Sequence, residues 1–305
     1  MNLNGSSIKV WLSAARLRTL PLSISGVLIG SSYSFYNDVF NLNVFICALL
    51  TTISYQLLSN FANDYGDGVK GSDEKRIGPK RAVQSGLISS YQMKKAVFNL
   101  SIIASLLTFL LVTLSFEISS IYFLVFILLG GLAIFAAIKY TVGRFAYGYY
   151  GLGDFFVFVF FGLVSVLGSN FLFDSTFSFE LIIPAIIVGL LSVGVLNLNN
   201  MRDLETDAEC GQKTLAVFLG PKAAKAYHLV LISASFILIV LYSFQFEISS
   251  AFLKPLYYLN SSFLIFHFFQ VFSTSKPKEY DRYLKLLALN AFFFSVLVSI
   301  NFFKF

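Results

Sequence analysis

The chain has 305 residues, of which 57% are hydrophobic and only 12% are charged, and its mean hydropathy is +0.76. Soluble domains carry about 25% charged residues, so this composition excludes an ordinary soluble protein. The formal net charge is +6, but no basic domain stands outside the apolar segments, which argues against a nucleic-acid-binding protein. Cys47 lies in an apolar run and Cys210 in a polar loop, so no disulfide framework is predicted.

Nine apolar segments follow one another along the chain, each close to the roughly 20 residues that a helix needs to cross a bilayer. A short basic amphipathic arm at 6–18 precedes them and is predicted to lie at the membrane surface rather than to act as a cleaved signal. The sequence therefore predicts an all-α, polytopic membrane protein of about nine transmembrane helices, forming one domain over 1–305. The predicted spans are 20–36, 43–62, 95–115, 120–139, 153–172, 180–200, 225–244, 252–272 and 284–303.

Lysine and arginine alternate between the predicted loops. Of the 22 basic residues, only Lys254 and Lys304 fall on the side opposite the N-terminal arm. Basic residues concentrate in cytoplasmic loops, so the N-terminus and the basic face are predicted to be cytoplasmic. Such a face favours anionic lipid headgroups or phosphorylated substrates.

A first polar cluster lies at the cytoplasmic end of the second predicted span. Asn60, Asn63 and Asp67 are spaced i, i+3 and i+7, so they share one face if the helix continues through them. Asp64 and Asp73 are further acids of this segment. The cluster predicts a polar stripe that points into the helical bundle.

A second polar cluster lies at the end of the sixth predicted span. Asn199, Asp203 and Asp207 are spaced i, i+4 and i+8, which predicts one axial stripe of oxygens on a helix. Four spans separate the two clusters, and an even number returns the chain to the same membrane face. The two clusters are therefore able to oppose each other across the bundle.

Carboxylates clustered at a membrane boundary repel one another and are costly to desolvate. Mg²⁺ prefers a few carboxylate oxygens together with water and substrate phosphates, and basic side chains suit the remaining charge of a diphosphate. Ordinary solvated loop charges explain one such cluster about as well, but two clusters with similar spacing on one face favour a Mg²⁺–diphosphate site. The candidate diphosphate-binding residues are Arg16, Lys70, Arg76, Arg202 and Lys213, each of which the cytoplasmic location explains equally well.

A further polar stretch lies in the loop between the fourth and fifth predicted spans. Tyr140 and Tyr147 are candidates for hydrogen bonding to a substrate, although anchoring at the membrane interface explains them equally well. Asp154 opens the fifth span, where stabilisation by a helix N-terminus is the alternative to a role in the site.

These residues resemble the UbiA superfamily of intramembrane aromatic prenyltransferases, which has an N-x-x-x-D-x-x-x-D first motif and a D-x-x-x-D second motif. Asn63 and Asp67 match the first motif, and Asp203 and Asp207 match the second. The third acidic position of the first motif is a glycine here, and Asp73 follows two residues later.

The chain looks most like the branch of this superfamily that prenylates 1,4-dihydroxy-2-naphthoate. The resemblance implies a bacterial inner-membrane enzyme that transfers a polyprenyl group from its diphosphate to the naphthoate, with loss of CO₂ and diphosphate, in menaquinone biosynthesis. It implies Mg²⁺ held by Asn63, Asp67, Asp203 and Asp207, with Asp64 assisting and Asp154 on the naphthoate side. The matching segments are 16–21, 59–73, 76–79, 140–143, 147–154 and 199–220.

Other functions fit parts of the same pattern. Another UbiA enzyme would use a different acceptor, such as 4-hydroxybenzoate, or a phytyl donor. A CDP-alcohol phosphotransferase carries its acids in one continuous motif, whereas these acids are four spans apart. A divalent-cation transporter would place acids near the membrane midplane, whereas these lie at one boundary.

Overall fold

A computed structural model describes residues 5–71, 78–245 and 253–303. Within these ranges the regular structure is entirely helical, which confirms the predicted all-α fold. One π-helix, Phe158–Gly168, continues the short helix before it. The α-helices are α1 Gly5–Ala15, α2 Leu20–Tyr36, α3 Leu42–Lys70, α4 Ser90–Ser115, α5 Ile121–Lys139, α6 Gly153–Val157, α7 Ser169–Asp174, α8 Ile182–Arg202, α9 Leu204–Glu209, α10 Leu215–Gln245, α11 Leu253–Ser273 and α12 Tyr280–Phe302.

Helices occupy all nine predicted spans. Eight helical stretches of the described residues are long and apolar enough to cross a membrane, and the predicted span at 252–272 forms α11, which is more polar. Three polar side chains of α11, those of Asn260, Ser261 and His267, are buried against its neighbours. Asn260 Nδ2 donates to the backbone oxygen of Asn290 on α12, and Asn290 Nδ2 donates to that of Asn260, each over 3.1 Å.

Helix α8 lies at the centre of the bundle, where it packs against α10, α12 and the π-helix. The close approach of the π-helix depends on glycine. A Cβ atom at Gly162 would lie 2.7 Å from both the Ala185 oxygen and the Gly189 Cα atom of α8. Helix α5 instead packs against α3 and α4 at the outside of the bundle.

The two polar clusters differ in their local structure. Helix α3 continues through the first cluster to Lys70 and ends at Gly71, which has a left-handed φ of 73°. The predicted single stripe of the second cluster is wrong in one respect, because α8 ends at Arg202 and α9 begins at Leu204. Between them Asp203 has φ −97° and ψ 8°, so the helix is interrupted at the acid.

The N-terminal arm forms α1, which lies against the first cluster. Trp11 packs on Phe61 with ring centroids 5.5 Å apart, and Asn60 Nδ2 donates to the Ala15 oxygen over 2.8 Å. Arg16 has a left-handed φ of 48° and turns the chain from α1 towards α2. This turn places Arg16 beside the polar end of the bundle interior.

Candidate active site

A cavity of about 390 Å³ runs through the bundle and has a polar end and an apolar part. Both polar clusters line the same end, so the structure brings together two segments that are more than a hundred residues apart. The polar end is lined by Asn60, Asn63, Asp67, Asn199, Asp203 and Asp207, together with Arg16, Arg18 and Arg81. The apolar part is lined by Val27, Ala48, Leu111, Val112, Phe126, Leu129, Phe160, Phe161, Val164 and Leu172, among others.

Asp67 is buried at the polar end, where it is held from two sides. The Tyr149 hydroxyl donates to Asp67 Oδ1 over 2.6 Å, and Arg81 Nη2 lies 3.3 Å from Asp67 Oδ2. Both members of the Arg81–Asp67 ion pair are buried. Hydrogen bonds to a charged carboxylate are among the strongest in proteins, so the orientation of Asp67 is well defined.

The segment that carries Tyr149 packs closely on α3. The Thr141 hydroxyl lies 3.1 Å from the Ala62 oxygen and 3.2 Å from Asn63 Oδ1. A Cβ atom at Gly66 would lie 2.8 Å from the Thr141 backbone oxygen, so only glycine permits this contact. The exposed Lys70 Nζ lies 3.8 Å from the centre of the Tyr149 ring, a cation–π contact.

Asp64 has a different environment from Asp67. Its two carboxylate oxygens accept the backbone N–H groups of Ala82 and Val83, each over 3.0 Å. Asp64 is buried and does not contribute to the lining of the main cavity. Its carboxylate fixes the turn that carries Arg81. This turn places the Arg81 guanidinium next to Asp67.

Arg202 was predicted to bind diphosphate, but the structure directs its guanidinium to protein oxygens. Nε and Nη2 lie 3.0 Å and 2.7 Å from the two carboxylate oxygens of Asp203, and Nη2 also donates to Asn199 Oδ1 over 2.7 Å. Nη1 donates to Asp281 of α12 over 2.9 Å. The side chain is only 1% exposed, so its position is set by these contacts.

The other predicted diphosphate-binding residues differ in whether they line the cavity. Arg16 lines the cavity, whereas Lys70 and Lys213 are exposed and do not. The backbone N–H of Lys213 donates to the Tyr149 oxygen over 2.9 Å, which ties the loop after the second cluster to the residue that holds Asp67. Arg76 and Asp73 lie outside the described residues, and their predicted roles stay predictions.

Asp154 is buried near the cavity but does not line it. Its Oδ1 accepts the Tyr227 hydroxyl of α10 over 3.2 Å. Tyr140 and Tyr147 do line the cavity, with ring centroids 5.4 Å apart, and the Tyr147 hydroxyl donates to the Ala136 oxygen over 3.0 Å. Burial raises the pKa of both phenols above the ordinary tyrosine value.

Helix α5 and the π-helix flank one side of the apolar part. Aromatic contacts close this side at both ends. Phe126 of α5 stacks on Phe171 with centroids 5.7 Å apart, and at the polar end Tyr147 lies 4.2 Å from Phe156. Between these contacts the two helices pack on different neighbours, α5 on α3 and α4, and the π-helix mainly on α2 and α8.

Tyr149 and Asp281 are among the residues of this site that were not predicted from the sequence. Tyr149 lies between two candidates in a tyrosine-rich loop, so a helix-facing hydrogen bond could have been suggested there. Asp281 has no such signal, because it stands 79 positions from Arg202 in an ordinary charged segment at the start of α12. Only the packing of α12 against α8 reveals the contact.

The oxygens at the polar end are of the kind that Mg²⁺ prefers, namely carboxylates and amides. Among the described residues, no group of three or more acidic, histidine or cysteine side chains is arranged so that it would hold an ion by itself. The acids instead line two sides of one cavity, and Asp67 and Asp203 each face an arginine. This donor set fits a cation whose remaining ligands are water and a bound anion.

A model of the UbiA prenyltransferase family matches residues 19–297 of this chain. The chain belongs to the UbiA prenyltransferase family. The 1,4-dihydroxy-2-naphthoate octaprenyltransferase of Haemophilus influenzae is 41% identical over 298 residues, covering 96% of this chain and 96% of that protein. The protein of the same name from Escherichia coli is 43% identical over 239 residues, covering 78% of this chain and 77% of that protein.

Solved structures of other UbiA proteins share the fold at low sequence identity. A UbiA homolog from Archaeoglobus fulgidus bound to DMAPP and Mg²⁺ has a TM-score of 0.65 at 14% identity, covering 95% of this chain and 99% of that chain. An apo UbiA homolog from Aeropyrum pernix has a TM-score of 0.66 at 17% identity, covering 94% of this chain and 97% of that chain. The helical bundle described above is thus the UbiA fold.

Proposed function

We propose that this protein transfers a polyprenyl group from polyprenyl diphosphate to 1,4-dihydroxy-2-naphthoate, with loss of CO₂ and diphosphate, in menaquinone biosynthesis. The observation that carries the proposal is the cavity that joins two acidic motifs to an apolar channel. A prenyl diphosphate has the matching shape, with a charged head and a long hydrocarbon chain. The naphthoate acceptor is supported by the names of relatives that are 41% and 43% identical.

The polar end is suited to bind the diphosphate head. Asn63, Asp67, Asp203 and Asp207 would hold Mg²⁺, which when bound supplies Lewis-acid stabilisation of charge on the leaving diphosphate. Arg16 lines the same end and offers a guanidinium for phosphate oxygens. Asp64 acts by holding the Arg81 turn, and Arg202 acts by holding Asp203.

The remaining cavity residues orient the reactants and exclude water. Departure of the diphosphate leaves an allylic cation that water would quench, so a dry apolar channel protects it. The rings of Tyr140, Tyr147 and Phe156 line the cavity and contact one another in series, and an aromatic face stabilises a nearby cation by about 0.5–2 kcal/mol. Asp154, which accepts the Tyr227 hydroxyl, would lie on the naphthoate side of the cavity. The prenyl chain would pass between α5 and the π-helix into the lipid.

An assay of the purified protein in lipid nanodiscs tests this function. The reaction would contain Mg²⁺, a polyprenyl diphosphate and either 1,4-dihydroxy-2-naphthoate or 4-hydroxybenzoate, and the products would be identified by mass spectrometry. We expect a prenylated 1,4-dihydroxynaphthalene without its carboxyl group, which air oxidises to the naphthoquinone during work-up, and little product from 4-hydroxybenzoate. Preferential prenylation of 4-hydroxybenzoate, or a naphthoate product that retains the carboxylate, would contradict the proposed acceptor chemistry.

We also propose that the protein lies in the bacterial inner membrane with its N-terminus and the polar end of the cavity facing the cytoplasm. The distribution of lysine and arginine supports this orientation. The native cysteines allow a direct measurement, because Cys210 is exposed beside the second motif whereas Cys47 is buried. A membrane-impermeant maleimide should label inside-out vesicles and leave intact spheroplasts unlabelled.

The control for this labelling is Cys210→Ser, which should remove the signal from inside-out vesicles without changing the amount of protein in the membrane. Labelling of intact spheroplasts at Cys210 would reverse the proposed orientation.

A further inference from the structure

Asp281, at the start of α12, accepts three cationic side chains. Its Oδ1 accepts Arg202 Nη1 over 2.9 Å, and its Oδ2 lies 3.2 Å from Arg18 Nη1 and 3.0 Å from Lys285 Nζ. Arg202 is buried, Arg18 lines the cavity, and Lys285 is largely exposed. The carboxylate therefore links the buried Arg202 to Arg18 at the polar end of the cavity.

Arg202 stands between two carboxylates, Asp281 and Asp203. Its Nε and Nη2 face both oxygens of Asp203, while Nη1 faces Asp281. The guanidinium is also confined on its flat side, because a Cβ atom at Gly78 would lie 2.7 Å from its Cζ atom. Few other positions are open to this side chain while both acids hold it.

We infer that Asp281 is a positioning residue that acts through Arg202 on Asp203 of the second acidic motif. One cation shared by two carboxylates neutralises neither of them fully, so Asp203 keeps negative charge for a metal ion. Without the Asp281 charge, Asp203 would be the one carboxylate that the buried guanidinium contacts among the described residues. The guanidinium would then compete with the metal for Asp203. A buried ion pair that loses one partner also leaves the remaining charge uncompensated.

The inference rests on the proposed function only in so far as Asp203 binds a divalent cation. It is tested by metal binding without a prenyl substrate or acceptor. Free Mn²⁺ has an electron paramagnetic resonance signal that is lost on binding, so its affinity for the purified protein is measured directly. We expect Asp281→Asn to weaken Mn²⁺ binding by about tenfold, the usual scale for loss of a residue that orients a metal ligand.

Glu279→Gln is the matched control. It neutralises an acid two residues away whose carboxylate contacts Thr274 and Tyr283 rather than an arginine. Its Mn²⁺ affinity should equal that of the unmodified protein. Loss of affinity in Glu279→Gln equal to that in Asp281→Asn would overturn the inference, because it would indicate a general charge effect.

Arg202→Lys tests the same connection by changing the arginine that joins Asp281 to Asp203. Lysine keeps the positive charge but cannot face Asp203 with two donors while bonding to Asp281. This variant should also bind Mn²⁺ more weakly, and adding Asp281→Asn to it should cause little further loss. Additive losses in the double variant, or unchanged affinity in either single variant, would overturn the inference.

These outcomes separate the inference from the proposed function. If the unmodified protein binds Mn²⁺ but does not prenylate the naphthoate, the proposed acceptor fails while the Asp281 comparison still decides the inference. If the unmodified protein prenylates the naphthoate and Asp281→Asn binds Mn²⁺ with normal affinity, the inference is rejected and the proposed function stands.

Discussion

Asp67→Asn and Asp203→Asn are each expected to abolish prenyl transfer while the protein remains folded in the membrane. Each change keeps the size of the side chain but removes a negative charge from the polar end of the cavity. Stabilisation of leaving-group charge by a metal is worth several kcal/mol, so the loss in kcat should be on the order of a thousandfold or more. The measurement is single-turnover transfer by each purified variant at saturating Mg²⁺.

The matched control for these variants is Asp174→Asn. Asp174 ends α7, and among the described residues its carboxylate accepts only the backbone N–H and the hydroxyl of Thr176 in the following turn. This variant should retain normal turnover. Unchanged turnover by purified Asp203→Asn would refute the assignment of the second motif to the metal.

Gly66→Ala should cause the next largest loss of activity, although residue 66 carries no reactive group. The new Cβ atom would lie 2.8 Å from the Thr141 backbone oxygen and 2.9 Å from the Thr141 carbonyl carbon, so the loop must move away from α3. This loop carries Tyr149, which donates to Asp67. Misplacement of a reacting group by about 1 Å costs roughly a hundredfold in rate, and we expect a decrease of that order in kcat.

Gly131→Ala is the control for Gly66→Ala, because a Cβ atom at Gly131 meets nothing within 4 Å. Alanine is favoured over glycine in a helix by up to about 1 kcal/mol, so this variant should be active and slightly more stable. Equal activity of Gly66→Ala and Gly131→Ala would show that the Thr141 contact does not position the site.

Much of this fold could be predicted because each span is defined by its own residues. Apolar length and the alternation of lysine and arginine identify helices without knowledge of their packing. Helical spacing likewise brought Asn63 and Asp67 onto one face, since α3 continues through both. The interruption at Asp203 was not predictable, because a helix-compatible sequence is broken there beside a guanidinium that also contacts α12.

The roles of the basic residues were the hardest to predict. Composition places Arg202 and Lys213 near acids, but it does not say whether a cation faces a substrate or a protein carboxylate. In the structure Arg202 is buried between Asp203 and Asp281, whereas Lys213 is exposed. The partners of such residues come from distant helices, and a single sequence does not indicate which distant residues will be paired.

The reciprocal bonds between Asn260 and Asn290 have a consequence for membrane insertion. An amide without a partner in hydrocarbon costs several kcal/mol, and α11 also buries His267 against His228 of α10, with their Nε2 atoms 3.1 Å apart. Helix α11 alone would therefore be a poor substrate for the translocon. We expect it to enter the bilayer together with α12 as a helical hairpin, so that each asparagine meets its partner before either reaches lipid.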